Sequence, residues 1–541
     1  MLILEAGNVK KYYKDRLIIE FDGLKLYSGD KVGIVGQNGS GKTTLMNILS
    51  KDIDPDEGFV KQYCDIAYIR QFSDDCIAAS PKALKEFKLT GIQNQDVFSG
   101  GEKTRIKIAN IFSKDHPVLF ADEPTANLDY KGIELLRQKL SEVSTFLLIS
   151  HDRSLLDSLC NKILEVRDGK IKIYNGNYSF YKDQSEMERQ YGEQEYEKYA
   201  AEKARLEGAI RERAGKSKAL KKTPKRMGNS EARLHKRSTN EIQEKIDGAG
   251  NVLKTRLEKL EVKEKPRELP QIKLDFSLTR PPENKIVISA DNLTFGYGSR
   301  KIFQHARFKV YNGLKTALWG ENGAGKTTLL NMIAQKSNED IYIVPKATIG
   351  YFCQGLENLD NNKTVLENVM ADSVQTQTAV RTILARLLIS GDDVYKKVGV
   401  LSGGERIKVS FSKLLVSNAN VLLMDEPTNF LDMMSIEALE NVLREYEGTV
   451  LFVSHDRAFV NSVADRLLMI ADQSIAEFDG TLQEYMHGSQ KSGSVIKNEA
   501  EQMVLQMRIT EIVAKLSRGD GDREALEAEY QSVLSQLHDS M

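Results

Sequence analysis

Apolar and polar positions fall into blocks along this chain, and the block pattern occurs twice. "KVGIVG" (31–36) and "VLFAD" (118–122) are short, almost wholly apolar runs in the first half, answered by "KTALWG" (315–320) and "VLLMD" (421–425) in the second. Runs of this length and continuity predict buried strands. "TTLMNILS" (43–50) and "TTLLNMIA" (327–334), each directly after a glycine-rich turn, predict helices. Strand, turn and helix in this order give an α/β fold, stated twice.

Between 184 and 285 the pattern changes. "SEMERQYGEQEYEKYAAEKARLEGAIRER" and "EIQEKIDGAGNVLKTRLEKLEV" place apolar residues three or four apart in a polar background, which predicts a helical hairpin. Its first arm, Ser185 to about Arg213, would be roughly 45 Å long at 1.5 Å per residue. Gly215, Pro224 and Gly228 break the pattern between the arms, Asn229 or Ser230 can cap the returning helix, and Gly248 and Gly250 are placed to kink it. After "HGSQKSGS", two more helical stretches divided by "SRGDGD" predict a small C-terminal hairpin over 489–541.

The duplication extends to longer motifs. "GQNGSGKTT" (36–44) returns as "GENGAGKTT" (320–328), "FSGGEKTRIKIA" (98–109) as "LSGGERIKVSFS" (401–412), "VLFADEPTANLD" (118–129) as "VLLMDEPTNFLD" (421–432), and "LLISHDRSLL" (147–156) as "LFVSHDRAFV" (451–460). Gln71 and Ser99 are 28 positions apart whereas Gln354 and Ser402 are 48 apart, so the second copy holds an insertion that the first lacks. The expected domains are therefore a first repeat over 1–183, the hairpin over 184–285, a second repeat over 286–488 and the extension over 489–541.

At 541 residues the chain exceeds one ordinary core, and 41% hydrophobic with 28% charged residues fits a globular multidomain protein. No apolar run approaches the roughly 18 residues that span a bilayer, and "MLILEAGNVKKYYKDR" lacks the apolar stretch of a signal peptide, so a cytoplasmic protein is expected. Cys64, Cys76, Cys160 and Cys353 form no C-x-x-C pair, which points away from zinc and disulfides. The charges, 76 basic against 77 acidic, balance overall but not locally. From Ile210 to Asn240 eleven Lys/Arg face only Glu212 and Glu231. Such an island favours an anionic partner, with counterion release from phosphates as the reward.

Each G-x-x-x-x-G-K-T lies between a strand and a helix, the context in which it cradles phosphates. Gly36, Asn38, Gly39, Ser40, Gly41, Lys42, Thr43 and Thr44, with Gly320, Asn322, Gly323, Ala324, Gly325, Lys326, Thr327 and Thr328, are the expected phosphate-binding residues. Thr43, Asp122 and Gln71, and Thr327, Asp425 and Gln354, are the expected Mg²⁺ site. Glu123 and Glu426 follow the aspartates, placed to act as general bases, and His151 and His455 to orient water and γ-phosphate. Tyr13 and Tyr297 each precede their lysine by 29 residues and are expected to stack on adenine; Tyr12 competes with Tyr13. Trp319, the only tryptophan, is expected in the strand core.

Phosphate loop, "SGGE", "DEPT" and "SHD" in this order resemble the nucleotide-binding domain of ATP-binding-cassette proteins, over about 385 residues. The resemblance implies two cassettes closing face to face around two ATPs. The site of Lys42 would borrow Ser402, Gly403 and Gly404, and the site of Lys326 would borrow Ser99, Gly100 and Gly101. Two cassettes on one chain with a long charged linker further resemble the ABC-F family of ribosome-associated ATPases. The family's usual "DEPTNHLD" is altered to Ala126 and Asn127 in the first copy and Phe430 in the second. The long linker and the short first cassette are similar to the Vga-like antibiotic-resistance group. That implies a monomer that binds the 70S ribosome, 23S rRNA and the P-site tRNA. It would act through tip residues Lys216, Lys218, Leu220, Lys221, Lys222, Lys225, Arg226 and Met227 against lincosamides, pleuromutilins and streptogramin A. A housekeeping ABC-F translation factor and a transporter's ATPase subunit are the alternatives.

Overall fold

The computed structural model describes residues 1–70, 100–112, 116–126, 128–219, 244, 247–263, 276–298, 300–352 and 359–486. Contacts divide the chain into two units. One holds both repeats (Met1–Leu159, Leu164–Lys172 and the chain from Gln271 onward); the other holds Cys160–Ile163 and the intervening segment Ile173–Pro270.

In the first repeat β1 (Leu2–Tyr13), β2 (Arg16–Tyr27) and β4 (Glu57–Gln62) form antiparallel pairs. β3 (Lys31–Gly36), β5 (Ile66–Ile69), β6 (Val118–Asp122) and β7 (Phe146–Ile149) are parallel, in the order β5-β6-β7-β3. β8 (Lys162–Arg167) and β9 (Lys170–Asn175) complete a nine-stranded sheet. Every residue of β6 and of β7 is buried, as continuous apolar runs require of strands covered on both faces. The described helices of this repeat are α1 (Lys42–Leu49), α2 (Gly100–Phe112), α3 (Tyr130–Glu142) and α4 (Arg153–Leu159).

The second repeat follows the same plan. β10 (Ile286–Tyr297), β11 (Arg300–Tyr311) and β13 (Ile341–Ile343) form an antiparallel sheet. β14 (Ile349–Phe352), β15 (Val421–Asp425), β16 (Thr449–Val453), β12 (Lys315–Gly320), β17 (Arg466–Ala471) and β18 (Ser474–Asp479) follow one another in a second. The insertion contains α7 (Val365–Ala371) and α8 (Gln377–Arg386), after α6 (Lys326–Gln335) and before α9 (Gly403–Val416). Val365, Val369, Ile383 and Leu384 join Phe411 and Leu415 of α9 in one buried cluster, so the insertion is packed against the helix that follows "SGG". α10 (Met433–Glu445) and α11 (Arg457–Val463) complete the repeat.

In the other unit α5 (Tyr178–Ala219) is one 42-residue helix, on the order of 63 Å long. It starts earlier than the expected Ser185 because Asn177 Oδ1 accepts the N–H of Phe180 at 3.1 Å, a helix cap. It also runs through Gly215, correcting the expected break there. Ion pairs three or four residues apart sustain it, among them Arg189–Glu193 at 3.5 Å, Lys198–Glu195 at 3.0 Å and Lys216–Glu212 at 2.7 Å. A second helix over 247–258 contains Gly248 and Gly250, and its Arg256 pairs with Glu202 of α5 at 3.3 Å, so two arms lie side by side. Lys216 is exposed and Lys218 lies on α5. Leu220, Lys221, Lys222, Lys225, Arg226, Met227 and the C-terminal extension lie outside the described residues. Among the described residues no helix is long and apolar enough to cross a membrane.

Candidate ATP sites

β3 and β12 each deliver a glycine-rich loop to the start of a helix. Gly39 and Gly41 have φ of 75° and 102°, and Gly323 and Gly325 of 75° and 104°, left-handed values that let successive N–H groups turn inward. A Cβ on Gly36 would sit 2.3 Å from Val166 O, and one on Gly320 2.7 Å from Ile470 O. The loops thus run tight against β8 and β17. Lys42 Nζ donates to Gly36 O (2.8 Å) and Gln37 O (3.0 Å), and Lys326 Nζ to Gly320 O (2.8 Å) and Glu321 O (2.9 Å). Both ammonium groups are thereby aimed across the loop mouth. Burial lowers the pKa of each, opposed by Glu123 and Glu426 respectively.

Asp122 and Asp425 end fully buried strands and accept hydrogen bonds from Thr43 and Thr327. Burial raises both carboxyl pKa values, while the threonine and the loop lysine oppose it. The next residues, Glu123 and Glu426, have φ of 48° and 49°. Their N–H groups continue the strand pairing, to Ile149 O at 2.9 Å and Val453 O at 3.0 Å. A non-glycine residue in the left-handed region costs about 1 kcal/mol or more, and both repeats hold one at this glutamate.

His151 Nε2 lies 3.2 Å from Glu123 Oε1 and His455 Nε2 3.4 Å from Glu426 Oε1, close but not aligned as hydrogen bonds. The N–H of His455 donates to Glu426 Oε2 at 3.3 Å. Burial pushes Glu123 up to about 8, with Asp122 adding to it, and pushes Glu426 up to about 7. Burial also brings His151 and His455 down to about 4, so both imidazoles are neutral near pH 7. Carboxyls with pKa near neutrality are matched to taking a proton from water. The structure thus brings together Lys42, Thr43, Asp122, Glu123 and His151, and likewise Lys326, Thr327, Asp425, Glu426 and His455.

A phosphate and a divalent cation suit these residues on two observations. Glu123 Oε1, Glu426 Oε1 and Ser40 Oγ are buried without a hydrogen-bond partner, and buried polar atoms of this kind call for one. The Thr43–Asp122 and Thr327–Asp425 pairs supply the hard oxygens that Mg²⁺ prefers.

The repeats also touch across the first loop. Asn38 N donates to Asp432 Oδ2 at 2.9 Å and Asn38 Nδ2 to Phe430 O at 2.8 Å. A Cβ on Gly404 would lie 3.2 Å from Asn38 Nδ2, so the "SGG" turn of the second repeat abuts the first phosphate loop. Ser402 caps α9, accepting from Glu405 N at 3.4 Å while Glu405 Oε2 accepts from Ser402 N at 2.8 Å. That capping box aims the N-terminus of α9. At the second loop Asn322 N donates to Asp129 Oδ2 at 3.4 Å, and Lys131 pairs with Glu321. Gly100 and Gly101 begin α2. Ser99, Gln71 and Gln354 lie outside the described residues.

Tyr13 and Tyr297 stand at hairpin ends, 49% and 61% exposed. Arg300 of the second hairpin donates to Gly323 O at 3.2 Å, which ties that hairpin to the loop. Trp319 is 4% exposed, in the strand core as expected. Sequence reasoning missed Asp129 and Asp432. Their recurrence at the end of "NLD" and "FLD" was the available signal, and each also caps a helix, through Gly132 N at 2.9 Å and Ser435 N at 2.8 Å.

A family profile described as ABC transporter matches residues 22–78, 78–126 and 303–429, and a second of the same description matches 164–246. Erythromycin resistance ATP-binding protein MsrA of Staphylococcus epidermidis is 33% identical over 482 residues, 87% of this chain and 98% of that protein. Ribosome protection protein VmlR of Bacillus subtilis is 32% identical over 485 residues, 87% of each chain. Among solved structures, an archaeal ribosome recycling factor aABCE1, in complex with the ribosomal stalk protein aP1, superposes with a TM-score of 0.60. It covers 90% of this chain and 92% of that one at 20% identity, a likeness of fold.

Proposed function

The chain belongs to the ABC-F family of ATP-binding-cassette ATPases, and on that footing we propose that it is a ribosome protection factor. In this reading it enters the tRNA-exit site of the 70S ribosome with ATP bound. Its linker contacts the P-site tRNA and 23S rRNA near the peptidyl-transferase centre, relieves lincosamides, pleuromutilins or streptogramin A, and leaves after hydrolysis. The observation that carries the reading is the alignment with a named ribosome protection protein over 87% of each chain. The linker's charge supports it. Along α5 basic residues have acidic partners within a turn, Arg211 with Glu207 and Lys216 with Glu212 among them, whereas the sequence from Ile210 to Asn240 sets eleven Lys/Arg against two Glu. Such an excess is suited to phosphates.

Hydrolysis follows from the two sites. In the first, the loop N–H groups and Lys42 bind the phosphates of ATP while Gly404 and the α9 N-terminus close the site from the other repeat. Thr43 and Asp122 would hold Mg²⁺, which supplies charge neutralisation at the phosphate oxygens. Glu123, as the carboxylate, takes the proton of the attacking water, and neutral His151, 3.2 Å from it, is placed to orient that water and the γ-phosphate. Lys326, Thr327, Asp425, Glu426 and His455 do the same in the second. Tyr13 and Tyr297 stack on the adenines.

Expression in a susceptible bacterium with a panel of ribosome-targeting drugs tests this function. Resistance is expected, and it is expected to vanish when Ala214–Met227 is deleted although ATP hydrolysis by the purified variant persists. Resistance that survives the deletion refutes the tip as effector. An unchanged drug panel with the intact chain favours a housekeeping translation role.

A further inference from the structure

The two repeats share one plan, but the residues that fasten each ATP site to the opposite repeat are chemically different. At the first site, Arg153 follows His151 in "SHDR" and reaches across to Glu440 on α10. Its Nη1 is 3.1 Å from Oε1 and donates to Oε2 at 3.3 Å. Both side chains are nearly out of water, 13% and 7% exposed. α10 is capped by Asp432, the residue that accepts the N–H of Asn38 in the first phosphate loop. One helix of the second repeat is thus pinned at its start to the phosphate loop and two turns on to the first residue of α4, two positions past His151.

Among the described residues the second site has no such pair. The residue equivalent to Glu440 on α3 is Arg137, which cannot partner Arg457. Arg457 instead lies 3.8 Å from Glu134, whose carboxylate already accepts Arg137 Nε at 3.1 Å, and the Arg457 and Glu134 side chains are 32% and 46% exposed. The start of α3 is held by Lys131–Glu321, 47% and 54% exposed, where the first site has Met434 and Gln37. Asp129 to Asn322 N is long at 3.4 Å against 2.9 Å for Asp432 to Asn38 N. Exposed ion pairs are weakened by salt, and buried, hydrogen-bonded ones far less.

We propose that Arg153 and Glu440 are positioning residues that clamp the Lys42–Glu123 site shut, and that the Lys326–Glu426 site, where Tyr130 packs on Trp319 but the ion pairs between the repeats lie at the surface, is the one that opens first. The proposal rests on the reading of both sites as composite ATPase sites. It assigns the first site the longer-lived closed state and the second the exchange of nucleotide.

Single-site variants separate the two: Glu426→Gln leaves hydrolysis at the first site and Glu123→Gln at the second. Raising KCl from about 50 to 500 mM is expected to increase the half-saturating ATP of Glu123→Gln about tenfold and that of Glu426→Gln less than about threefold. Lys131→Met with Glu321→Gln, in the Glu123→Gln background, should flatten the salt response. In the Glu426→Gln background Arg153→Met should raise half-saturating ATP about tenfold with a smaller change in kcat, and the reversal Arg153→Glu with Glu440→Arg should restore most of it. Equal salt responses of the two sites, or a stronger response at the first, overturn the proposal; that comparison leaves the clamp itself intact and so does not depend on a buried variant folding. If each single glutamine variant hydrolyses ATP as fast as the unaltered protein, the underlying assignment of Glu123 and Glu426 fails instead.

Discussion

Replacing Glu123 by glutamine should stabilise the first cassette, and by an amount set by pH. The folded site holds the Glu123 proton up to about pH 8 because burial, and then Asp122, oppose the carboxylate. In the unfolded chain the same group ionises near 4.5. Between these values the folded state binds more protons than the unfolded one, so stability falls as pH rises from about 4.5 to 8 and is level above. At 1.36 kcal/mol per pH unit the full cost is about 5 kcal/mol at pH 8 and under about 1 kcal/mol at pH 5. Glutamine, neutral throughout, escapes it. The lowered pKa of His151 makes stability rise with pH between about 4 and 6.5, but equally in both proteins, and it cancels in the difference. Calorimetric melting without nucleotide, in EDTA, should therefore show the Glu123→Gln gain growing by about 10 °C between pH 5 and 8. Glu426→Gln, at a group that burial likewise pushes up, to about 7, should gain in the same direction as pH rises. A gain independent of pH would refute the burial argument.

Other substitutions test single contacts. Asp432→Ala removes the cap of α10 and the acceptor for Asn38 N, so it should cost about 1 kcal/mol in melting stability and weaken ATP binding at the Lys42 site more than at the Lys326 site. Gly36→Ala would drive a methyl group into Val166 O; loss of fluorescent-ATP binding at the first site is expected, with the second retained. Trp319, the sole tryptophan, packs on Tyr130 of the first cassette with ring centroids 5.7 Å apart, so Tyr130→Ala should shift its emission to the red.

Where the chemistry is local, the chain displays it openly. The phosphate loops, the strand-ending aspartates with their glutamates, and the histidines can be read from short motifs because a few consecutive residues set each geometry. The pairs that join the cassettes could not be read. Arg153 meets Glu440, and Lys131 meets Glu321, only because two distant segments fold against each other, and no local periodicity marks them. The arm was legible as helix but too short at both ends. Tyr178–Gln184 resembles the end of a cassette until the cap at Asn177 is seen, and Gly215 lies inside the turn spanned by Glu212–Lys216, a pair that offsets part of the glycine's roughly 1 kcal/mol cost.

The central claim is that ATP holds this protein on the ribosome and hydrolysis releases it. Sedimentation of the Glu123→Gln, Glu426→Gln double variant with ribosomes and ATP through a sucrose gradient tests it most directly. The variant is expected to travel in the ribosome peak with ATP and to remain at the top of the gradient with ADP. A protein that stays at the top with ATP, while still binding the nucleotide, would contradict the account.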